Sequence, residues 1–234
     1  MAITYDKWIL VFAVYALLSL ANLLWLSGTK IDESIKSETP ATFASCMKLL
    51  TNKFVLAMVI AIFLIVGADV GMNSNIQGFL MKLHGLTLEN ASYGISVYFT
   101  ALMISRFVGA ILLQFLKPIF FLVTTTILAI VGTLMIMFSA TEMMAYIGIF
   151  IVGLGAGNLF PLIFSIAINK MPSRSNEISG LLIMAIVGGA VIPPIMGFVS
   201  SSYGIMGSLI VLVACFAYML IIPFTAKQDK VEKA

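Results

Sequence analysis

Apolar residues in this chain come in long unbroken runs, not in the alternation of a half-buried strand or the single stripe of a surface helix. Seven runs stand out, at roughly 8–26, 54–80, 92–116, 118–138, 145–168, 178–199 and 205–224. A helix that crosses a bilayer needs about 20 mostly apolar residues, whereas a barrel strand needs only about 9–11. Only those two structures satisfy their own backbone in lipid, and the runs are too long and continuous for barrel strands. The pattern predicts an all-α membrane protein with seven transmembrane helices. The connections are short except at 27–53, "SGTKIDESIKSETPATFASCMKLLTNK", a polar linker with an amphipathic tail expected to lie along the membrane surface. The organisation therefore reads as a first helix at 1–27, a cytoplasmic linker at 28–53, a six-helix bundle at 54–226 and a cytoplasmic tail at 227–234.

Composition strengthens this reading. Of 234 residues, 61% are hydrophobic and 10% charged, against about 25% charged in a soluble domain. A soluble chain of this size has too little interior to hide so much apolar surface. The first run is long enough to span and has no cleavage-site pattern after it, so it is not a secretory signal. Cys46 and Cys215 lie far apart, one in the linker and one in an apolar run, and suggest neither a disulfide framework nor a metal site.

Charge sets the orientation. Lys and Arg concentrate in cytoplasmic connections. Taking the connections alternately, one set holds Lys30, Lys36, Lys48, Lys53, Lys117, Lys170, Arg174, Lys227, Lys230 and Lys233, and the other only Lys7 and Lys82. The linker and C-terminus are expected in the cytoplasm and the N-terminus outside, in a multi-pass protein of the cytoplasmic (inner) membrane. An outside N-terminus with no signal suggests the back part of something longer.

A shift of 86 residues lays Gly67 on Gly153, Gly71 on Gly157, Asn90 on Asn176 and Gly94 on Gly180. "VGADVG" meets "VGLGAG" and "NASYGI" meets "NEISGL". The second to fourth helices thus repeat as the fifth to seventh. Three is odd, so the copies run with opposite topology, and nested inverted triplets are a transporter signature.

The stretch "VGADVGMNSNIQ" at 66–77 is the chemical anomaly. Asp69, Asn73 and Gln77 recur at i, i+4 and i+8, within about 80° of arc on a helix. Gly67, Gly71, Ser74 and Gly78 cluster nearly opposite, where small residues let a neighbouring helix approach. Asn75 falls on neither face. An Asp at the bilayer centre costs about 2.5–3.5 kcal/mol on insertion scales, so Asp69 and Asn73 are expected to face a cavity or a partner. Gln77 is nearer the outer end, within reach of headgroup water. Arg106 is the other deep charge. It could pair with Asp69, bond helix-end carbonyls, or serve as a packing or gating anchor.

Two more helices carry breaks. Pro161 is expected to kink the fifth, with Asn158 beside the kink as a cavity group. Gly188, Gly189, Pro193 and Pro194 make the sixth bendable, which suits a gate and is also common in membrane helices. His84 is expected to be solvated in an external loop. The "GLGAG" string follows no strand and is no nucleotide loop. Nothing in the chain resembles a catalytic dyad, a metal site, a cofactor site or a nucleic-acid surface. The expected surroundings are a lipid bilayer and a small solute.

The stretches "FLIVGADVGMNSNIQGFL", "YFTALMISRFVGAILL", "NLFPLIFSIAI" and "IVGGAVIPPIMGFVSSSYG" resemble the C-terminal half of the major facilitator superfamily, in its fucose–proton symporter and glucose/galactose permease group. The resemblance covers essentially the whole chain and makes its helices the family's sixth to twelfth. It implies uptake of a monosaccharide of the fucose, glucose or galactose type by alternating access, coupled to a proton or another cation. It makes Asp69, Asn73, Gln77 and Asn158 the hydroxyl-binding wall. It also implies that an N-terminal half, with the family's coupling carboxylates, is required. Two readings compete: a membrane protein that does not transport, either decayed or needing a partner half, and a carrier of another solute. An anion carrier would show more buried Arg or Lys, and a drug exporter a more aromatic cavity.

Overall fold

The computed structural model describes residues 6–29 and 42–228. Residues 30–41 and 229–234, with Lys30, Lys36, Lys230 and Lys233, lie outside the described residues. The chain divides into two units, residues 1–39 and 40–234. The first contributes α1 (Asp6–Gly28), an apolar helix long enough to span a membrane. Its last turn is closed by Ser27 and Thr29, whose hydroxyls donate to the Leu24 and Trp25 carbonyls.

The second unit begins with α2 (Phe43–Leu49). Thr42 caps it in a capping box with Ser45, which satisfies two orphan amides reciprocally. Then come α3 (Lys53–His84), α4 (Leu88–Leu112), α5 (Pro118–Met137), α6 (Glu142–Ala156) and α7 (Leu159–Lys170). The chain continues through α8 (Ser175–Met184), α9 (Gly188–Tyr203), α10 (Ile205–Tyr218) and α11 (Ile222–Gln228). Short 3₁₀ turns at Ala185–Val187 and Met219–Ile221 join α8 to α9 and α10 to α11. With α6–α7, α8–α9 and α10–α11 each taken as one span, the described residues hold seven apolar spans.

Several helices begin earlier or end later than the apolar runs, because their ends are set by caps. Asn52 Oδ1 accepts from the Phe54 and Val55 amides, Thr87 Oγ1 from Asn90, and Thr141 Oγ1 from Met144. Each satisfies donors that a helix start leaves unpaired. Pro118 opens α5 at the position where its missing N–H costs nothing. Gly85, in the left-handed region at φ 66°, ends α3.

The core of this unit runs from Phe54, Met58 and Ile62 at one end of α3 to Ile76, Phe79 and Leu80 at the other. Packing respects the 86-residue shift. The shift carries α3 onto α6–α7 and α4 onto α8–α9, and two of the largest interfaces are α3 with α9 and α4 with α6. They are one contact with the partners exchanged. Gly67 meets Ile192 and the Gly188 carbonyl, and its counterpart Gly153 meets Ala101 and the Tyr98 carbonyl. Gly71 meets Met196, and Gly157 meets Ser105. Such swapped contacts are what an inverted repeat produces. Gly188 sits hardest against its neighbour: a Cβ there would overlap the Phe63 carbonyl.

Other expectations change. Ser74 is exposed and bonds its own helix at the Val70 carbonyl, and nothing lies against Gly78. The small face therefore packs through Gly67 and Gly71, against Gly188, Ile192 and Met196 of α9. The amphipathic tail of the linker, α2, rests on α8, with Cys46, Met47, Leu49 and Leu50 packed against the core. His84 is half-buried, with Nε2 2.6 Å from Ser139 Oγ. The Ser139 hydroxyl donates to the Ile136 carbonyl, so the imidazole N–H donates to Ser139. The tight α5–α6 connection brings Ser139 to the end of α3, which a linear reading of 81–85 as loop could not reveal.

Candidate functional site

Asp69 lies near the middle of α3, sixteen residues on from Lys53, or about 24 Å along the helix at 1.5 Å per residue. It is half-buried. Tyr98 of α4 is fully buried, and its hydroxyl donates to Asp69 Oδ1 at 2.5 Å. The bond ties one carboxyl oxygen of Asp69 to α4. The Tyr98 ring is fixed by the core and by edge-on contact with Phe99, so this anchor of the carboxylate is rigid.

Arg106 projects from α4 two turns further on, at the break between α6 and α7. Pro161 creates its partner there. A proline has no N–H for the carbonyl four residues back, and its ring crowds that carbonyl. The carbonyl is Gly157's, and the helix interrupts at Gly157–Asn158. Arg106 Nε donates to the freed oxygen in a long 3.5 Å bond. The kink expected at Pro161 is thus a break one turn upstream, with Pro161 in the first turn of α7, where it is tolerated.

Asp69 and Arg106 face one cavity of about 330 Å³, with Ile65, Val66, Leu102, Ala156, Gly157, Phe160 and Pro161. Small-molecule sites run from about 300 to 1,000 Å³. A second, open pocket of about 580 Å³ shares Asp69, Leu102 and Arg106 and is bordered by the exposed Phe99, Met103, Phe107 and Ala110 of α4. The two charges form the common wall. They do not pair with each other: their atoms lie beyond the 4.0 Å of an ion pair, and the ion pair recorded among the described residues is Arg174–Glu177. A cleft of about 630 Å³ between α3, α9 and α10 is lined by apolar residues and two tyrosines and carries no charge.

The other expected wall residues are placed differently. Asn73 is half-buried and makes no hydrogen bond with the described residues. Gln77 gives its amide to Ser92 Oγ at 2.8 Å, tying α3 to α4. Asn158 is buried and lines neither cavity. Its amide donates to Ser105 O at 2.6 Å and Ser105 Oγ at 2.9 Å, and it packs on Gly109. Ser105 in turn donates to the Leu154 carbonyl at 2.6 Å. That network holds α4 to the broken helix. Asn75, without a role in the sequence pattern, bonds the Gly71 carbonyl at 2.8 Å. Gly188 and Gly189 form the contact of α9 with α3, against Phe63 and against Val66 and Val70. Pro193 and Pro194 follow inside α9.

Sequence reasoning missed Tyr98, Ser105 and the Gly157 carbonyl. A signal existed for the first: Tyr98 stands eight residues before Arg106, within about 80° on the same helix face, and a phenol in an apolar span needs a partner.

The family model described as Major Facilitator Superfamily matches residues 1–194. This chain belongs to that superfamily. A glucose/galactose transporter of Brucella abortus is 31% identical over 162 residues, 68% of this chain and 39% of that protein. An L-fucose-proton symporter of Escherichia coli K12 is 26% identical over 168 residues, 70% of this chain and 37% of that one. The crystal structure of the E. coli fucose:proton symporter superposes with a TM-score of 0.81 at 24% identity, covering 93% of this chain and 54% of its own. The superfamily's helical transporter fold is therefore shared, and the chain spans about two fifths to a half of the length of these relatives. It is a multi-pass integral membrane protein of a transporter family, not of an enzyme family.

Proposed function

We propose that this chain is the C-terminal portion of a carrier that moves a monosaccharide of the fucose, glucose or galactose type by proton- or cation-coupled alternating access. The observation that carries the reading is the pair Asp69 and Arg106, an acceptor and a donor facing one cavity inside a bundle of membrane spans. A neutral polyol needs both. Charges at this depth are costly and mark solute paths by default. The similarity to a glucose/galactose transporter and an L-fucose-proton symporter supports the sugar class. Asn73, with an unspent amide, is a further contact. Gln77 and Asn158 serve as ties between helices in this reading, and Pro161, Gly188, Gly189, Pro193 and Pro194 shape the segments that move.

The reading places the linker and C-terminus in the cytoplasm and the N-terminus outside, in the cytoplasmic membrane. The far wall of the cavity comes from a front six-helix half, against which this bundle rocks. The test is uptake of radiolabelled L-fucose, D-glucose and D-galactose into vesicles carrying this chain with and without a front half, with and without a proton gradient. Gradient-driven uptake of at least one sugar is expected, with Asp69→Asn lowering it by about 10- to 100-fold, the loss of one charged hydrogen-bond partner. Absence of uptake of all three sugars in the complete assembly overturns the substrate.

A further inference from the structure

Opposite charges that share a cavity within a bundle of membrane spans attract each other. Left alone, Asp69 and Arg106 would close on each other and fill the space between them. Here each is held by a neutral partner instead. Tyr98 takes Asp69 Oδ1 from the α4 side, and the Gly157 carbonyl takes Arg106 Nε at the helix break. The two anchors differ in stiffness. Tyr98 is fully buried, whereas Arg106 is exposed and its bond is long. The carboxyl group of Asp69 is therefore the more tightly held member of the pair. Asp69 Oδ2 accepts nothing from the described residues and is left for the cavity.

We propose that Tyr98 is a positioning residue: its hydroxyl holds the Asp69 carboxylate out of reach of Arg106, so that acceptor and donor stay unpaired and open to a solute. The proposal rests on the reading of this cavity as the solute site. It also assigns Tyr98 a role in specificity, because a ligand must span the gap the tyrosine maintains. A hydroxylated solute does so by donating to Asp69 and accepting from Arg106.

The test measures how open the cavity is without any solute. The 234-residue chain, in lipid nanodiscs and with Cys46→Ser and Cys215→Ala, carries a reporter thiol at the cavity wall (Val66→Cys). Its rate of modification by a small charged methanethiosulfonate reagent is read. Tyr98→Phe is expected to slow modification about tenfold as the charges pair, and adding Arg106→Gln is expected to restore the rate to within about twofold, the behaviour of a two-state equilibrium released from one bias. An unchanged rate in Tyr98→Phe overturns the proposal, and so does a double variant as slow as the single one. A second reporter at fully buried Met72 (Met72→Cys) detects loosened packing. If Tyr98→Phe exposes that thiol, Tyr98 is a packing residue and the proposal fails. Protection of the Val66→Cys thiol by L-fucose, D-glucose or D-galactose tests the solute reading separately, since the first rates need no sugar.

Discussion

The two copies of the repeat divide the labour. The front copy, α3–α5, has three uninterrupted helices; the back copy, α6–α11, breaks each of its three spans. Both deep charges belong to the front copy. Under the 86-residue shift Asp69 becomes Gly155 and Arg106 becomes Ile192. The sharpest contrast is at one carbonyl. In the front copy Gly71 O receives a side-chain bond from Asn75, four residues on, and the helix continues. In the back copy the residue four on from Gly157 is Pro161, the helix stops, and the carbonyl is left for Arg106. One copy supplies fixed chemistry and the other supplies joints, and they meet at the Gly157 oxygen.

That contrast can be broken in graded steps. The largest effect is expected from Gly188→Leu, which forces a side chain into the Phe63 carbonyl where the copies touch. Overpacking of this kind costs about 1–3 kcal/mol or more, and size-exclusion chromatography in detergent should show loss of the monodisperse peak. Pro161→Ala gives the back copy an N–H to close on Gly157 O. Amide exchange at residues 157–162 should then slow by about tenfold or more, as a continuous helical bond forms, and Arg106 should lose its anchor. Unaltered exchange would mean that the break does not depend on the proline. Asn158→Ala removes the tie from the break to Ser105 and should lower stability by up to about 1.7 kcal/mol, the upper end for interhelical bonds in membranes, read by unfolding in increasing dodecyl sulfate. Gln77→Ala removes a half-exposed tie within the front copy and should cost no more than about 0.6 kcal/mol by the same assay. A larger loss for Gln77 than for Asn158 would reverse the expected ranking of the tie between the copies over the tie within one.

Much of this was legible in the residues. Membrane spans declare themselves because lipid tolerates only long apolar helices, so the seven runs anticipate the seven spans to within a few capped residues. Asp69 and Arg106 stand out because a buried charge in lipid is costly wherever it occurs. Partners were harder to see. The Gly157 carbonyl is backbone and has no letter of its own, and Tyr98 was hidden among aromatic and apolar neighbours on α4. Asn158 and Gln77 show the opposite difficulty. An amide on an inward face reads the same whether it meets a solute or a neighbouring helix, and only the positions of Ser105 and Ser92 distinguish the two. The breaks in α8–α9 and α10–α11 leave no proline at the 3₁₀ turns themselves, so hydrophobic runs pass over them.

The turn at Ala185–Val187 also acts as a change of phase. A 3₁₀ turn winds about 120° per residue where an α-helix winds about 100°. Over its three residues the surfaces on either side slip by roughly 60° relative to an unbroken α-helix. The span packs on α3 along its whole length, with α2 and α7 added on the α8 side and α10 on the α9 side. Rewinding those three residues would rotate α9 against α3 like a screw, with Gly188 at the thread.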